Sequence, residues 1–279
     1  MKQRIITALI LAPLVIAGIF LLPIPGFLIA LTAVTVIGFW EWTQFVNAKS
    51  RLVALVPALA VVAGTLVWLP FDVNSLSEVG GSHQSVLMAG GLWWLIASAL
   101  VISYPKSSKL WSGSNVIRHV FGLLTMVPFL WSVVLLRAAE YQADPYYGAK
   151  LVLLVCFLVW AADSGAYFAG KSFGKYKMAP AVSPNKTIEG LIGGIVAAML
   201  VAWGASSLFG IHFSSVGAML GISMVTVIIS VLGDLAESMF KRVSGIKDSG
   251  NILPGHGGIL DRIDSLTAAF PVFALLYFW

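Results

Sequence analysis

The chain has 279 residues, 59% hydrophobic and only 10% charged, with a mean hydropathy of +0.93 and a formal net charge of +5. No water-soluble domain needs that much apolar sequence, so the composition predicts an all-α, polytopic integral membrane helical bundle. The single cysteine, Cys156, lies in an apolar run, which excludes an intramolecular disulfide and a cysteine-built metal site.

Hydropathy predicts about nine transmembrane helices, near 5–22, 24–46, 52–70, 86–104, 116–138, 149–169, 188–209, 214–240 and 263–279. Lys2 and Arg4 precede the first run as they would in a signal peptide. That run is long, however, and no small-x-small cleavage site precedes Pro23, so it reads as a retained span. With the N-terminus in the cytoplasm, fifteen of the 17 lysines and arginines fall on that side, and only Arg137 and Lys150 on the other. The positive-inside rule then predicts an N-in, C-out topology. We expect a single membrane-embedded domain over 1–279. Spans within 1–140 are mainly scaffold, and 149–279 is the catalytic half, with its cytoplasmic loops 170–187 and 241–262 on one face.

The polar chemistry concentrates at the end of the eighth span. Residues 234–265 hold five carboxylates, four cations and His256 between apolar runs. Asp234, Glu237, Ser238 and Lys241 share one helix face at i, i+3, i+4 and i+7, and Asp261, Asp264 and Ser265 repeat the spacing where the ninth span begins. Gly250, Pro254, Gly255, Gly257 and Gly258 break regular structure between them and let backbone approach a ligand. Carboxylates from two helix ends beside a glycine-rich loop and lysines suit a Mg²⁺-and-phosphate cradle. The plain alternative is a cytoplasmic loop whose charges meet water.

Loop 170–187 adds Lys171, Lys175 and Lys177, then Ser183, Pro184, Asn185, Lys186 and Thr187. Ser183 is expected to cap a helix started by Pro184, with Lys186 and Thr187 facing an anion. The same lysines also suit anionic lipid headgroups. Asp163, late in an apolar span, is either a metal or substrate group or the partner of a lysine such as Lys171. Plainer readings cover the rest. Gly190 with Gly194, and Gly217 with Gly221, read as helix-packing pairs. His83, His119 and His212 read as polar interface residues. The ten tryptophans, Trp40, Trp42, Trp93 and Trp94 among them, read as interfacial belts.

Ser238-x-Phe240-Lys241-Arg242, then Lys247-Asp248-x-Gly250, then Leu253-Pro254-x-His256-Gly257-Gly258-Ile259-x-Asp261-Arg262-Ile263-Asp264 resembles the signature of the phosphatidate cytidylyltransferase (CDP-diglyceride synthase) family. The likeness extends to Asp163-Ser164-Gly165 and to the Ser183–Thr187 segment. It implies transfer of the cytidylyl group of CTP to phosphatidate, giving CDP-diacylglycerol and pyrophosphate, with Mg²⁺ and room for a second cation. By that resemblance Asp234 and Asp261 hold the cation, with Asp264 as an additional or supporting acid. Lys241, Arg242, Lys247 and Lys186 bind phosphates, and Asp248 either touches substrate or pairs with Lys247 or Arg242. His256 donates to a phosphate oxygen or the leaving pyrophosphate, or is a structural turn residue. Ser183, Asn185, Thr187, Lys171, Ser238, Gly257, Gly258 and Arg262 join the substrate site. The implied setting is a bacterial inner membrane with the active site on its cytoplasmic side. The expected partners are CTP, phosphatidate and membrane lipid, with no nucleic acid, and a homodimer is compatible. Two rivals are a cation-coupled transporter, which also keeps acids in apolar helices, and a CTP-dependent lipid kinase, which would transfer the terminal phosphate.

Overall fold

The structure, a computed structural model, describes residues 2–72, 76, 79–255 and 257–279, with side chains from residue 9 onward. The first three long helices are α1 (Lys2–Leu21), α2 (Ile24–Trp42) and α3 (Arg51–Trp68), with a 3₁₀ turn at Thr43–Phe45 after α2. Then come α4 (Gly81–Ile102), the short α5 (Ser108–Trp111), α6 (Asn115–Ala138) and α7 (Tyr147–Phe173). A hairpin of β1 (Lys177–Ala179) and β2 (Ser183–Thr187) leads into α8 (Ile188–Phe209), α9 (Val216–Val243) and α10 (Leu260–Phe278). Every expected span coincides with a long helix. Among the described residues, seven of these are long and apolar enough to cross a membrane: α2, α3, α4, α6, α7, α8 and α9. The apolar part of α1, Leu9–Leu21, is shorter, and α10 opens with Asp261, Arg262 and Asp264. The chain is therefore an all-α, multi-pass membrane protein.

Helix starts follow local capping chemistry. Ser50, Ser114 and Ser215 each accept a hydrogen bond from an amide in the first turn of α3, α6 and α9. Gly210, at φ 64°, closes α8 in the left-handed conformation. One expected start is corrected. Ser183–Thr187 is extended and pairs antiparallel with β1, Lys177 opposite Thr187 and Ala179 opposite Ser183. The cap is Thr187, whose Oγ1 accepts from Gly190 N at 3.1 Å. Pro184 therefore sits in a strand of a two-stranded hairpin, where its missing N–H costs little.

The core is built around α6, the most enclosed of the membrane-crossing helices. Arg137, near its end, is 2% exposed and donates to the carbonyls of Ile19 (2.7 Å), Pro145 (3.2 Å) and Leu22 (3.3 Å), tying the end of α1 to the start of α7. In the connection after it, Asp144 accepts a hydrogen bond from Lys150 of α7, which holds that carboxyl below its usual range. The belt reading of the tryptophans is corrected for Trp42, Trp93, Trp94, Trp111 and Trp131, which are all buried. Inside the bundle, Trp42, Trp93 and Trp94 satisfy their indole N–H on Arg118 O, Thr125 Oγ1 and Thr267 O. His83 is likewise buried, its ring 5.6 Å from that of Trp131 and tilted to it, rather than interfacial.

Helices α7 and α8 pack through small residues. A Cβ on Gly194 would fall 2.6 Å from Ala162 O, and one on Gly165 would fall 2.7 Å from Gly193 O. Gly190 faces Ala166 O and Thr187 at the same seam. Gly221 does not pack in this way, since a Cβ there meets nothing within 4 Å. Gly194→Ala should therefore cost about 1–3 kcal/mol through overpacking, whereas Gly221→Ala should be neutral or slightly stabilising. Thermal unfolding in detergent checks the contrast.

Candidate functional site

The connections after α2, between α4 and α6, around the hairpin and between α9 and α10 meet at one end of the bundle. Phe240 of α9 anchors that end. Its ring lies 5.1 Å from Trp42, 6.2 Å from Phe45, 5.1 Å from Trp111 and 5.9 Å from Phe121. Next to it, the Lys241 side chain is 11% exposed, with Nζ 3.0 Å from Glu237 Oε1 and 2.8 Å from Asp261 Oδ1. The other oxygen of Asp261 accepts from Ser249 N at 2.9 Å and Gly258 N at 2.8 Å. Gly257, at φ 86°, leaves room for that oxygen, which a Cβ would approach to 2.7 Å. Lysine, two acids and two loop amides thus form one closed knot joining α9, the glycine loop and α10.

A second pair is open. Lys186 Nζ of β2 lies 2.6 Å from Asp234 Oδ2, with side chains 25% and 27% exposed. Lys186 also reaches Val231 O at 3.4 Å, and Ser238 Oγ donates to Asp234 Oδ1 at 3.4 Å. Lys186 lines a cavity of about 210 Å³ with Asp163, Tyr167, Asn185, Thr187 and Val231. Asp163 lies within electrostatic reach of Asp234, Lys186 and Arg262, and Asp264 within reach of Asp234, Lys241 and Lys186. Four elements, α7, β2, α9 and α10, therefore contribute charge to one region. Asp163 makes no ion pair with Lys171 among the described residues. Lys171 instead lies 5.8 Å over the Tyr167 ring.

Alongside is a pocket of about 530 Å³ lined by Lys247, Asp248, Asn251, Pro254, Gly257 and Arg262. Lys247 and Arg262 are exposed and, among the described residues, in no ion pair, so both are available to an anion. Among the described residues, Asp248 makes no ion pair with Lys247 or Arg242. Arg242 donates to Val182 O at 3.2 Å and holds the hairpin turn. Ser183 and Asn185 lie on β2 beside Lys186, and His256 is outside the described residues.

The expected pairing of Asp234 with Asp261 around one cation meets a different arrangement: each acid holds its own lysine. Among the described residues, no three His, Cys, Asp or Glu side chains converge where they could hold a metal ion. Lys241, expected on a phosphate, is engaged by two carboxylates. The residue that sequence reasoning missed is Glu41 of α2. It is 1% exposed and bonded to Ser249 Oγ, Ile259 N and Leu260 N, across the expected division between scaffold and catalytic halves. The signal was present, because Glu41 is the only acid before Asp72 and lies inside an apolar span.

The family model for the cytidylyltransferase family matches residues 2–279. The chain belongs to that family. It is 46% identical to a phosphatidate cytidylyltransferase of Haemophilus influenzae, over 100% of this chain and 99% of the relative. It is 43% identical to one of Pseudomonas aeruginosa, covering 99% and 96%. Identity to one of Bacillus subtilis is 33%, covering 100% and 97%. The chain is thus a nucleotidyltransferase.

Because Lys247 and Arg262 are exposed and, among the described residues, in no ion pair, Lys247→Ala and Arg262→Ala should change stability by less than about 0.5 kcal/mol. Each should nonetheless lower cytidylyl transfer about tenfold or more by removing a charge-assisted phosphate contact. Thermal unfolding and turnover, measured on the same preparations, check both halves.

Proposed function

We propose that the protein transfers the cytidylyl group of CTP to phosphatidate, releasing pyrophosphate and leaving CDP-diacylglycerol in the membrane for phospholipid synthesis. The observation that carries this, beside the family, is a pair of pockets at one end of an apolar bundle, each carrying charged side chains, with Arg262 of one within electrostatic reach of Asp163 of the other. The larger, with Lys247 and Arg262, suits a triphosphate arriving from water. The smaller, with Lys186, Asn185 and Thr187 beside Tyr167, Leu191 and Val231, suits a phosphate whose acyl chains stay in lipid. A phosphate oxygen of phosphatidate attacks the α-phosphorus of CTP, and the bond to the bridging oxygen of the β-phosphate breaks. The nucleophile is already an anion near neutral pH, so no protein base is required. The protein must instead hold two mutually repelling anions in line, which cations at fixed positions do.

Mg²⁺ in such sites takes one or two carboxylates, water and substrate oxygens, so it does not need three converging acids. Asp234, partly open and next to Lys186, fits that role, with Asp264 and Asp163 close enough to support it or to serve a second cation. Asp261, 4% exposed on its side chain and engaged by Lys241 and two amides, fits less well and would have to release a partner. When bound, Mg²⁺ would offset charge on the nucleotide. In its absence Lys186 neutralises Asp234, and a phosphate would draw that lysine away.

We place the N-terminus and this site on the cytoplasmic side of the bacterial inner membrane, the C-terminus outside, with nine crossings and a homodimer compatible with the exposed apolar faces. Carboxyl-terminal residues 277–279 and the Tyr147–Tyr277 hydroxyl pair (2.7 Å) would then lie at the outer interface.

The test of the reaction is CTP labelled at the α-phosphate, incubated with phosphatidate and purified protein in detergent. Label should enter the lipid phase with release of pyrophosphate. A phosphorylated lipid with CDP as by-product would make it a kinase instead. Lys186→Ala should lower kcat/KM for phosphatidate roughly ten- to a hundredfold in a folded protein. Unchanged kinetics for both substrates would leave Lys186 as a lipid-surface charge. Cysteines placed at Ser214 and Asn251, both exposed, should label from opposite sides of intact cells, Ser214 from outside; labelling of both from the same side, or of Asn251 from outside, would overturn the topology.

A further inference from the structure

Glu41 belongs to α2, more than 200 residues before the glycine loop, yet its carboxylate is used up there. Oε1 accepts from Ile259 N at 3.0 Å, and Oε2 accepts from Leu260 N at 2.7 Å and from Ser249 Oγ at 3.2 Å. Ile259, at the N-cap of α10, has no capping side-chain bond of its own. The first amides of α10 would be orphaned in a buried setting, and Glu41 satisfies two of them while adding a negative charge at the helix's positive end. Three residues along, Gln44 Nε2 donates to Ser249 O. The glycines are matched to this acid. A Cβ on Gly250 would sit against Glu41 Oε1, with Cδ at 2.8 Å, and one on Gly258 would sit 2.6 Å from Cδ. Two glycines are thus small where this side chain passes.

Ser249 is gripped from both sides, its amide by Asp261 and its hydroxyl by Glu41. The contact between Trp42 and Phe240 keeps α2 beside α9, so Glu41 is delivered by a packed element rather than a loose one. The clamped segment carries Asp248 and Asn251 on one flank and Arg262 just beyond Leu260, all lining the larger pocket. We infer that Glu41 is a positioning residue for nucleotide use: its carboxylate fixes Ser249 and the entry to α10 at Ile259 and Leu260, so that Lys247 and Arg262 face the bound triphosphate. This rests on the reading that the larger pocket takes CTP. Glu41 touches no substrate and acts through the loop.

Glu41→Gln tests it with little change of shape. An amide has one acceptor oxygen, and its NH₂ would have to face at least one N–H donor, so the clamp loses a bond and its charge. Amide hydrogen exchange should rise in peptides covering 249–260 and stay unchanged in α4 and α6. The KM for CTP should rise about tenfold or more while the KM for phosphatidate stays within about twofold. A merely structural role would instead lower the active fraction, reducing the maximum rate with both KM values unchanged. Exchange that does not rise, or rises with both KM values unchanged, would overturn the inference. Should Glu41→Gln fail to accumulate, Gly250→Ala displaces the same carboxylate and carries the test with the same outcomes. Wild-type protein that moves no cytidylyl label would sink the underlying reading. Unchanged exchange in the variant of an active enzyme would sink this inference alone.

Discussion

The buried contact of Lys241 with Glu237 and Asp261 is the constraint on which the rest depends. Three ionisable side chains, none more than 11% exposed, sit where apolar helices end. Any one of them alone would be expensive there, because a buried charge keeps little hydration. Together with the amides of Ser249 and Gly258 they satisfy one another, and that satisfaction requires α9, the glycine loop and α10 to hold one relative position. From this follows the placement of Arg262, one residue from Asp261, and of Lys247 on the loop that Asp261 holds. Asp234, one turn before Glu237 on α9, is left open to Lys186. The same knot therefore separates closed charges, which hold the fold, from open ones, which are free to meet substrate.

That separation suits a reaction between two anions at a membrane surface. The apolar bundle supplies what the lipid substrate needs, a position beside the acyl chains. A triphosphate would need fixed cations that the bilayer core would not tolerate, and Lys247 on the α9–α10 connection and Arg262 in the first turn of α10 stand exposed at one end. Glu41 adds a brace from the other half of the chain. Both halves of the molecule thus bear on one pocket, although only one carries most of the polar residues.

Hydropathy made the helical bundle legible, and every span corresponds to a helix because a run of about twenty apolar residues has few other folds. The Asp234–Lys241 face was also legible, since i, i+3, i+4 spacing on a helix leaves little freedom. What it did not reveal was partnership. Asp234 and Asp261 look alike in the sequence, but the lysines that claim them, Lys186 and Lys241, come from different elements. The hairpin at 183–187 was read as a helix start because Ser-Pro is a common one; its pairing with 177–179 is a tertiary choice. Tryptophans expected at the interface went inside; for Trp42, Trp93 and Trp94 internal carbonyls and a threonine accept the indole N–H. Glu41 stood out only by being a lone acid in an apolar span, and its partner lay more than 200 residues away.

The measurement that bears most directly on the central claim is the stability of Lys241→Met, alone and combined with Glu237→Gln and Asp261→Asn, by denaturant or thermal unfolding in detergent. Removing the lysine alone leaves two acids buried without their cation and should cost about 3–5 kcal/mol. Neutralising both acids as well should recover a large part of that loss, because the penalty belongs to the uncompensated charges. Lys241→Met with near wild-type stability, or a triple variant no better than the single one, would contradict the account and remove the triad as the organising contact of this end of the molecule.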